Sequence, residues 1–543
     1  VNSETEYEAP RNEIEEKLVE IWKDVLGVED LGINDHFFEL GGHSLKATQL
    51  VSKFYRSFKV EIKISDIFQY PTIKKMASYI ETRDKFEFLP IPKAILREHY
   101  PVSSIQKGIY VLQILNPYST SYNMPIGLSL KGTLNYQKIE DAFNKIIQRH
   151  EIFKTSFSLV DGQPVQLINK IKYFKVDMIE LKDKKQIKDY IVPFNLNTYP
   201  LFRVGLFRES EKEHIMVADL HHIIGDGISA EILIKEFIQL YKGEELEPLE
   251  VTYKDYVCWK EERLLSNQLN KEEEYWTRKL SGSNTSLNFP LDFERPPIMS
   301  FNGKKLEYFL NENLTTKLNA IALENDCTIY MVLLTVYNLL LSSYSGQDEI
   351  TVGTSVGGRK HPSTQGIIGP FINMLPMKNT VAKEKTVKEL LMQIKENTLE
   401  AFEHQEFPYE KMVENISIRR DVSRNAIFDT IFDVQNMERN LVDLGELKIN
   451  EYYIGDNGSK ADIVFYIEEV SDKLKVNIEF NTTLFKEETM DKFGNNYKEL
   501  LSELLENTDR VINKLEYFQK IESRLNKLSK FKNTDNSDLF NFD

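Results

Sequence analysis

The feature that most constrains this chain is a short stretch, residues 85–98, that divides it into two parts with different hydrophobic patterns. The stretch contains Pro90 and Pro92 and has no sustained apolar period, so it is predicted to be a semi-extended linker. Helical spacing of apolar residues precedes it, and alternating strand-like and helical patterns follow it. At roughly 150 residues per domain, a chain of 543 residues is expected to be multidomain, with three or four compact units.

Residues 1–84 are predicted to form a small all-α bundle. The face of its first helix is formed by apolar residues at i, i+4, i+7, i+8 and i+11, namely Ile14, Leu18, Ile21, Trp22 and Val25. A second helix is predicted to begin at Ser44, and a last one to follow Pro71-Thr72 and run to about Arg83. A bundle of this length is near the lower size at which a domain folds independently.

Residues 99–520 are predicted to form two α/β lobes, 99–275 and 276–520. The apolar run HIMVADLHH is typical of a buried strand, and SAEILIKEFIQLYKG is typical of an amphipathic helix that ends at a glycine. The same alternation returns in the second lobe, with helical YMVLLTVYNLLLSSY and extended DEITVGTSV. The polar residues 521–543 are expected to begin a linker to a downstream domain, and both ends of the chain are expected to have been cut from something longer.

Composition excludes several classes of partner. The net charge of −16 disfavours nucleic acid and anionic membranes, because both require a cationic protein surface. No apolar run approaches the roughly 18 residues needed to cross a bilayer, and no signal peptide is found. The two cysteines, Cys258 and Cys327, have no neighbouring Cys or His at metal-binding spacing, which fits a reducing compartment. We therefore predict a cytoplasmic protein without a nucleic-acid or membrane partner.

A candidate attachment site lies in the sequence DHFFELGGHSL, which spans Asp35 to Leu45. Gly41 and Gly42 allow a sharp turn into the helix predicted to begin at Ser44. The free N–H groups at the start of a helix favour a phosphate, so a serine there is well placed to carry a phosphodiester. A single serine in this position is, however, more often a helix cap.

The whole stretch resembles the phosphopantetheine attachment signature of peptidyl carrier proteins, DxFFxLGGxSL, at every fixed position. The resemblance covers about residues 8–84 and implies a four-helix carrier domain. It also implies that 4'-phosphopantetheine is attached covalently to Ser44 by a phosphopantetheinyl transferase.

A second candidate site is HHIIGDG, which contains His221, His222, Asp226 and Gly227 and lies between the predicted buried strand and the helix. A histidine at the end of a strand can serve as a base in a cleft. Adjacent histidines can also bind metal, but no HExxH sequence or cysteine ligand is nearby, so we predict no metal site. Taken alone, such a pair is more often structural than catalytic.

The pattern HHxxxDG resembles the active-site signature of condensation domains of nonribosomal peptide synthetases, which share the chloramphenicol-acetyltransferase-like fold. Six further segments resemble the other motifs of that family in the same order: SSIQKGIYVL (103–112), RHEIFKTSF (149–157), YKDYVCW (253–259), IGPFINMLPMK (368–378), HQEFPYE (404–410) and RDVSRNAIF (420–428). The chain departs from the usual pattern at Ile105, Gly108, Phe153, Lys154 and Lys378. These departures leave the subclass and the preferred donor stereochemistry open.

The resemblance implies a role for each residue of the second site. The chemistry is attack of an amine on a thioester, which needs no covalent nucleophile because the thiol leaving group has a pKa of about 8.5. His222 takes the catalytic position, as a base or as a group that positions the amine. The N–H of Gly227 can face the developing oxyanion. His221 is predicted to be structural, and Asp226 is predicted to pair with an arginine.

Two arginines are candidates for that pair with Asp226. Arg149 is the first, because it lies in the second family motif, and Arg424 of the last motif is the second. In this interpretation Asp226 and Arg149 shape the active-site loop and take no part in proton transfer.

The domain order implies partners. Ser44 would present the donor acyl or peptidyl thioester, and the amine would come from an aminoacyl thioester on a downstream carrier. An upstream adenylation domain and a downstream adenylation domain are also implied. Which amino acids are joined, and where the carrier docks, stay open.

Three rival functions fit the sequence less well. Epimerisation domains share the fold and follow carriers, but their EGHGR stretch is missing here. A non-catalytic docking module would be expected to lose the histidine motif. GTSVG (353–357) fits the nucleophile elbow of a hydrolase, but a polar loop follows it where that elbow requires a helix, so a thioesterase is disfavoured. In the condensation family this segment resembles one that bridges the lobes.

Overall fold

A computed structural model gives the fold of the chain. It describes residues 7–42, 44–85, 90–282, 286–416, 421–435, 442–455, 458–470 and 473–520.

The N-terminal domain is the predicted four-helix bundle. Its helices are α1 (Glu13–Leu26), α2 (Ser44–Phe58), α3 (Ile64–Gln69) and α4 (Ile73–Glu81). The Asn12 side chain accepts a hydrogen bond from Glu15 N at the start of α1, and the helix ends at Gly27, whose φ of 75° suits a residue without a side chain. Leu18 and Trp22, both on the predicted face of α1, are fully buried. The prediction of a small all-α domain is confirmed.

The first α/β lobe follows a linker segment. Its strands are β1 (Tyr100–Pro101), β2 (Asn123–Gly132), β3 (Thr155–Val160), β4 (Gln163–Ile168), β5 (Asp177–Glu180), β6 (Phe202–Arg208) and β7 (Glu213–His221). Its helices are α5 (Ser104–Leu115), α6 (Tyr136–Arg149), α7 (Lys185–Asp189), α8 (Gly227–Lys242), α9 (Tyr253–Leu265) and α10 (Asn270–Leu280). A 3-10 turn, Glu151–Lys154, joins α6 to β3. The run predicted as a buried strand is β7, and the amphipathic helix after it is α8.

The second lobe has the same alternation. Its helices are α11 (Glu312–Glu324), α12 (Ile329–Ser345), α13 (Val387–Glu403), α14 (Tyr409–Asn415) and α15 (Glu487–Leu504). Its strands are β8 (Gly303–Phe309), β9 (Glu349–Val356), β10 (Asn373–Thr380), β11 (Thr430–Gln435), β12 (Val442–Asp443), β13 (Leu447–Glu451), β14 (Ile463–Val470) and β15 (Lys473–Asn481). Two 3-10 turns, Pro362–Thr364 and Ile512–Lys514, complete the elements of this lobe.

Each lobe is built on a six-stranded sheet. The order is β10-β9-β11-β14-β15-β8 in the second lobe and β12-β13-β2-β7-β6-β5 in the first, with a separate three-stranded sheet β1-β4-β3. Within the described residues no single helix is long and apolar enough to span a bilayer. The pair α11 and α12 passes that test only together, with a 105° bend between them.

Two strands cross the predicted boundary between the lobes. Strands β12 and β13 belong by sequence to the second lobe, but β13 pairs with β2, with Ile449 opposite Leu130, and so extends the first lobe's sheet. The approach is close, because a Cβ at Gly132 would lie 1.9 Å from the carbonyl oxygen of Glu446. Residues 442–451 therefore depart from the prediction that 276–520 form a separate lobe.

The four-helix domain contacts the second lobe directly. Lys63 Nζ lies 3.2 Å from Glu403 Oε2, and Ser65 Oγ donates to Glu403 Oε1 at 2.9 Å. The guanidinium of Arg56, on α2, donates to the carbonyl of Pro362. Helices α2 and α3 thus face the end of α13 and the loop after β9.

Candidate active site

The HHIIGDG segment forms the turn between β7 and α8. His221 is the last residue of β7, and α8 begins at Gly227 with Asp226 as its N-cap. The turn is fixed on both sides, because His221 N donates to Leu201 O and His222 N donates to Tyr122 O, at 3.0 and 2.7 Å. These backbone hydrogen bonds therefore fix the positions of both histidines at the end of a buried strand.

His221 has the surroundings of a structural residue. Its side chain is fully buried, and its Nδ1 accepts a hydrogen bond from Ile223 N at 3.1 Å. Its Nε2 must then carry the proton, and this atom lies 3.2 Å from Gln113 Oε1. Burial, with the neighbouring His222 and Arg203, lowers the pKa of His221 to about 3. The imidazole is a neutral linker within the core, as its predicted role requires.

His222 points the other way, into a cavity. Its Nδ1 is enclosed by protein, so Nε2 is the nitrogen that a substrate can reach. Burial, and then the positive charge of Lys460, lower the pKa of His222 to about 4. Tyr122 lies beside it, with ring centroids 6.4 Å apart in an edge-on arrangement. At neutral pH the imidazole is uncharged and able to accept a hydrogen bond.

Asp226 is a buried anchor, with 1% of its surface exposed. Its Oδ1 accepts from Ser229 N at 2.8 Å and from Ser229 Oγ at 2.7 Å. Its Oδ2 accepts from the backbone N–H groups of Phe371 and Ile372, at 2.8 and 3.2 Å. The carboxylate thus caps α8 and ties the first lobe to the loop before β10, which leaves it no free position from which to act as a base.

The arginine paired with Asp226 is Arg359, not Arg149. Arg359 Nη2 lies 3.2 Å from Asp226 Oδ1, and the guanidinium also donates to the carbonyls of Thr364, Ile367 and Gly369. Its side chain is 3% exposed and lies 4.0 Å over the ring of Phe371. An arginine three residues after β9 is a signal that the sequence offered, but the sequence pattern predicts only a polar loop there.

Both candidate arginines have other partners. Arg149 Nε donates to Glu236 Oε1 at 2.9 Å, beside His150, whose Nε2 lies 2.8 Å from Glu236 Oε2. Arg424 Nη1 donates to Asp429 Oδ2 at 2.8 Å. The prediction that Asp226 pairs with Arg149 was wrong, because α6 directs Arg149 towards α8 of its own lobe.

Gly227 lies at the cavity wall as the first residue of α8. The first N–H groups of a helix have no acceptor within the helix, so the N–H of Gly227 is available to a ligand. A Cβ built on Gly227 would meet nothing within 4 Å, which shows that there is space beside this backbone. The arrangement fits the predicted oxyanion contact.

The cavity that His222 faces is large and runs between the lobes. Its volume is about 2790 Å³, and its wall includes His222, Gly227 and Tyr122. Lys46 and Gln49 of α2 line the same cavity. A continuous space therefore connects the four-helix domain to the histidine motif.

Two ionisable residues of the cavity wall were missed by sequence reasoning. Burial lowers the pKa of Lys460, and the positive charge of Lys460 in turn lowers the pKa of His222. The Lys460 side chain lines the cavity and is exposed to it. Burial and the negative charge of nearby Glu414 raise the pKa of Glu410 to about 6, although a hydrogen bond from its own backbone N–H lowers it. Glu410 lies in the HQEFPYE motif and could have been singled out from it. No pattern marks Lys460.

Motif residues distant in sequence meet around the histidine turn. The Gln106 side chain donates to Ile223 O at 3.0 Å, and Tyr253 Oη donates to Pro370 O at 2.8 Å. Gln106 therefore braces the loop that carries His222, and Tyr253 braces the segment whose Phe371 N–H donates to Asp226.

GTSVG is not a nucleophile elbow. Ser355 lies within β9, and its backbone N and Oγ both donate to the Asp433 carboxylate at 2.8 Å. The loop after β9 carries Arg359 to Asp226 of the other lobe, so the expectation of a segment that bridges the lobes agrees with the structure.

Ser44 begins α2, as the sequence predicted; His43 is outside the described residues. Gly41, three residues before Ser44, has a φ of 83° with nothing within 4 Å of an added Cβ, as expected for the sharp turn. The helix start, the open turn and the cavity beside Lys46 and Gln49 fit an attached phosphate arm. Among the described residues no group of three or more His, Cys, Asp or Glu is arranged to hold a metal ion.

Comparison with known proteins defines the class of the chain. The family model for the condensation domain matches residues 96–525, and the model for the phosphopantetheine attachment site matches residues 16–80. The chain is therefore a carrier domain followed by a condensation domain, and it belongs to the condensation-domain family of nonribosomal peptide synthetases.

The relatives are much longer than this chain. It is 38% identical over 517 residues to tyrocidine synthase 2 of Brevibacillus parabrevis, which covers 95% of the chain and 14% of that protein. It is 39% identical over 519 residues to bacitracin synthase 3 of Bacillus licheniformis, which covers 95% of the chain and 8% of that protein.

Solved structures share the fold. The X-domain from teicoplanin biosynthesis superposes with a TM-score of 0.73 at 21% identity, over 79% of this chain and 100% of the X-domain chain. A four-domain nonribosomal peptide synthetase bound to AMP and glycine superposes with a TM-score of 0.71 at 19% identity, over 79% of this chain and 35% of the synthetase chain. These likenesses confirm the predicted two-lobed architecture.

Proposed function

We propose that this chain forms amide bonds in nonribosomal peptide synthesis. Ser44 carries 4'-phosphopantetheine with a donor acyl or peptidyl thioester, and His222 assists attack by the amine of an aminoacyl thioester. The observation that carries the proposal is the cavity, because it joins the wall beside His222 to α2, the helix that Ser44 begins.

The residues at the start of α2 would hold the arm. When attached, the arm supplies the acyl group as a thioester, whose thiol can leave without full protonation. The turn at Gly41 presents the helix start, where unpaired N–H groups and the helix dipole favour a phosphate. Lys46 and Gln49 line the route from this point into the cavity.

His222 acts mainly by positioning the incoming amine. With a pKa lowered to about 4 by burial and Lys460, the imidazole is a weak acceptor for a proton from an ammonium with a pKa near 8. It is, however, neutral and fixed by the backbone bond to Tyr122, so its Nε2 can accept a hydrogen bond from the uncharged amine. This holds the amine in line with the thioester carbonyl.

Gly227 supplies the complementary donor. Its N–H is at the start of α8, where the helix dipole is positive, and it faces the same cavity as His222. A preorganised N–H stabilises negative charge that develops on a carbonyl oxygen during attack. Asp226 fixes both groups without entering the reaction, since its oxygens already accept bonds from Ser229, Phe371 and Ile372.

The partners follow from this reaction. The amine must arrive on a second carrier, and both amino acids must be activated, so adenylation domains upstream and downstream are needed. A phosphopantetheinyl transferase must load Ser44. The relatives, which are several times longer than this chain, support a place within such an assembly. The net charge of −16 disfavours nucleic acid and anionic membranes as partners, and two cysteines without a neighbouring Cys or His at metal-binding spacing fit a reducing compartment such as the cytoplasm.

A condensation assay tests the proposal. The holo chain is loaded with a defined donor on Ser44 and mixed with a carrier that holds a defined aminoacyl thioester, and mass spectrometry follows both carriers. Transfer of the donor to the second carrier is expected. Exchange at the donor α-carbon without transfer would mean epimerisation, and no change with any donor tested would mean a docking module.

A further inference from the structure

A lysine of the second lobe, Lys460, extends into the cavity from the segment between β13 and β14. Its neighbours Ser459 and Ala461 are fully buried, whereas the Lys460 side chain is exposed to the cavity. The Lys460 carbonyl accepts a hydrogen bond from Asn425 Nδ2 at 3.2 Å. The fold therefore fixes the backbone from which this ammonium extends.

A chain of direct contacts between the lobes places Lys460 near His222. Ser459 N donates to Phe301 O at 3.0 Å, and the ring of Phe301 lies 6.3 Å from the ring of Tyr122 in the first lobe. Tyr122 O accepts from His222 N at 2.7 Å, and the Tyr122 ring lies 6.4 Å from the imidazole. Neighbouring residues therefore connect Lys460 to His222 across the cleft.

Within the described part of the chain, the ammonium of Lys460 has no hydrogen-bond or ion-pair partner. The carboxylate whose charge acts on it belongs to Glu479, which accepts a hydrogen bond from Tyr466 Oη at 3.2 Å. Burial lowers the pKa of Lys460, and the charge of Glu479 opposes that effect. The positive charge of Lys460 is therefore not matched by a bonded carboxylate and acts on groups that enter the cavity.

The imidazole of His222 indicates the sign of the electric field at this point. Burial lowers its pKa most, and the charge of Lys460 has the next largest effect. Asp226 acts in the opposite direction with a smaller effect, and its carboxylate is paired with Arg359. A positive charge is therefore disfavoured at the imidazole.

The other titratable groups around the turn do not reverse this field. His221 lies on the core side and is uncharged at neutral pH, because burial lowers its pKa to about 3. Glu410 of α14 acts on the Tyr122 hydroxyl, whereas the leading charge at His222 is that of Lys460.

The incoming amine is exposed to the same field. In the proposed reaction its nitrogen is hydrogen-bonded to His222 Nε2, at about 3 Å from the imidazole. A free α-amine has a pKa of about 7.7–8.0, so most of it is protonated at pH 7 and has no lone pair for the attack. A nearby cation without a bonded partner shifts such a group towards its uncharged form.

We propose that Lys460 selects the uncharged form of the incoming amine at His222, because its own positive charge repels the ammonium form. The inference rests on the proposed role of His222. The ammonium gives one proton to solvent water, and the nitrogen lone pair then forms the C–N bond. The electron pair of the C–S bond leaves with the sulfur, which takes a second proton from the nitrogen. Lys460 is thus a positioning residue that acts through its charge and does not touch the reacting atoms.

The first test measures transfer by the holo chain, with a donor on Ser44, to a second carrier that holds a defined aminoacyl thioester. The acceptor concentration is varied at each pH from 6 to 10. In K460M the maximal rate at pH 7 should fall by up to about 10-fold, because ammonium then occupies the site, and it should recover near pH 9. The half-saturating acceptor concentration should fall by the same factor, so the rate at limiting acceptor stays nearly unchanged.

The second test reads the field without any substrate. The histidines are labelled with nitrogen-15, and the His222 signal is identified by its loss in H222Q. The pKa of His222 should rise by about one unit in K460M, and K460R should keep the wild-type titration and pH–rate profile. The matched control is K235M, which removes a lysine of the same cavity wall from α8 and should change neither measurement.

Several outcomes would overturn the inference. One is a K460M variant with the pH–rate profile and His222 titration of the wild type. Another is a loss of rate that is equal at limiting and saturating acceptor and at every pH, since a general disruption of the site predicts that pattern. If K460M does not fold, K460Q carries the same expectation. Absence of transfer by the wild-type chain at every pH would instead overturn the proposed function.

Discussion

Asp226→Ala should destabilise the condensation domain by about 3–5 kcal/mol, because it leaves the buried guanidinium of Arg359 without its carboxylate. Both side chains are almost fully enclosed, at 2% and 3% exposure. Loss of the N-cap bond to Ser229 accounts for about 1 kcal/mol of the total. The N–H groups of Phe371 and Ile372 also lose their acceptor. Arg359 keeps three carbonyl acceptors, so the lower end of the range is expected.

A double-mutant cycle isolates the pair. Arg359→Ala and Asp226→Ala each remove the same contact, so the double variant should be less destabilised than the sum by about 1–3 kcal/mol. The matched control is the cycle of Asp226→Ala with Arg149→Ala. Arg149 is bound to Glu236, so that cycle should be additive within about 0.5 kcal/mol.

Urea unfolding followed by tryptophan fluorescence measures the cycle. The chain has three tryptophans, and Trp22 is in the carrier core while Trp259 and Trp276 are in the condensation domain. A Trp22→Phe background makes the signal specific to the larger domain. Additive effects of Asp226→Ala and Arg359→Ala, or coupling of Asp226 to Arg149 instead, would refute the reasoning.

Three further results are expected. Ser44→Ala should abolish addition of the arm while the circular dichroism spectrum stays unchanged, and an arm on the variant would contradict the carrier site. His222→Ala should lower donor transfer by up to about 10²-fold without lowering the melting temperature, because the amine is no longer held in line, and near-normal transfer would show that another residue acts. Burial lowers the pKa values of His221 and His222 to about 3 and 4, below the value near 6.5 that a histidine has in the unfolded chain. The unfolded chain therefore binds more protons, and the free energy of unfolding should fall as the pH drops from 6.5 towards 4. His221→Gln should reduce this dependence, which is measured as the difference between the urea midpoints at pH 5 and pH 7.

Local patterns were sufficient to predict the elements that position the site. The apolar run before His221 became β7, and Asp226 capped α8, because a strand end followed by an Asp-Gly pair specifies that turn within a few residues. The four-helix domain was also predictable, since its helical faces and caps are local. The second site was recognisable because its residues are contiguous in sequence.

Long-range pairing could not be predicted in the same way. Arg359 is 133 residues from Asp226, and its partner is decided by the path of the loop after β9 between the lobes. Arg149 was equally plausible by residue type, and only the direction of α6 sends it to Glu236. The strand β13 presents the same difficulty, because its alternation marks a strand and does not say that β2 is its neighbour.

Arg359 and Lys360 are adjacent, and their side chains contact different parts of the molecule. Arg359 ties the loop after β9 to Asp226 and so fixes the turn that carries His222, whereas Lys360 turns towards Glu406 at the cavity wall beside the carrier. The carbonyl of Pro362, two residues further on, binds α2. A single short segment therefore contacts the active-site turn, the cavity wall and the carrier in succession. The same loop therefore places the carrier contact at Pro362 and the active-site contact at Arg359 only three residues apart.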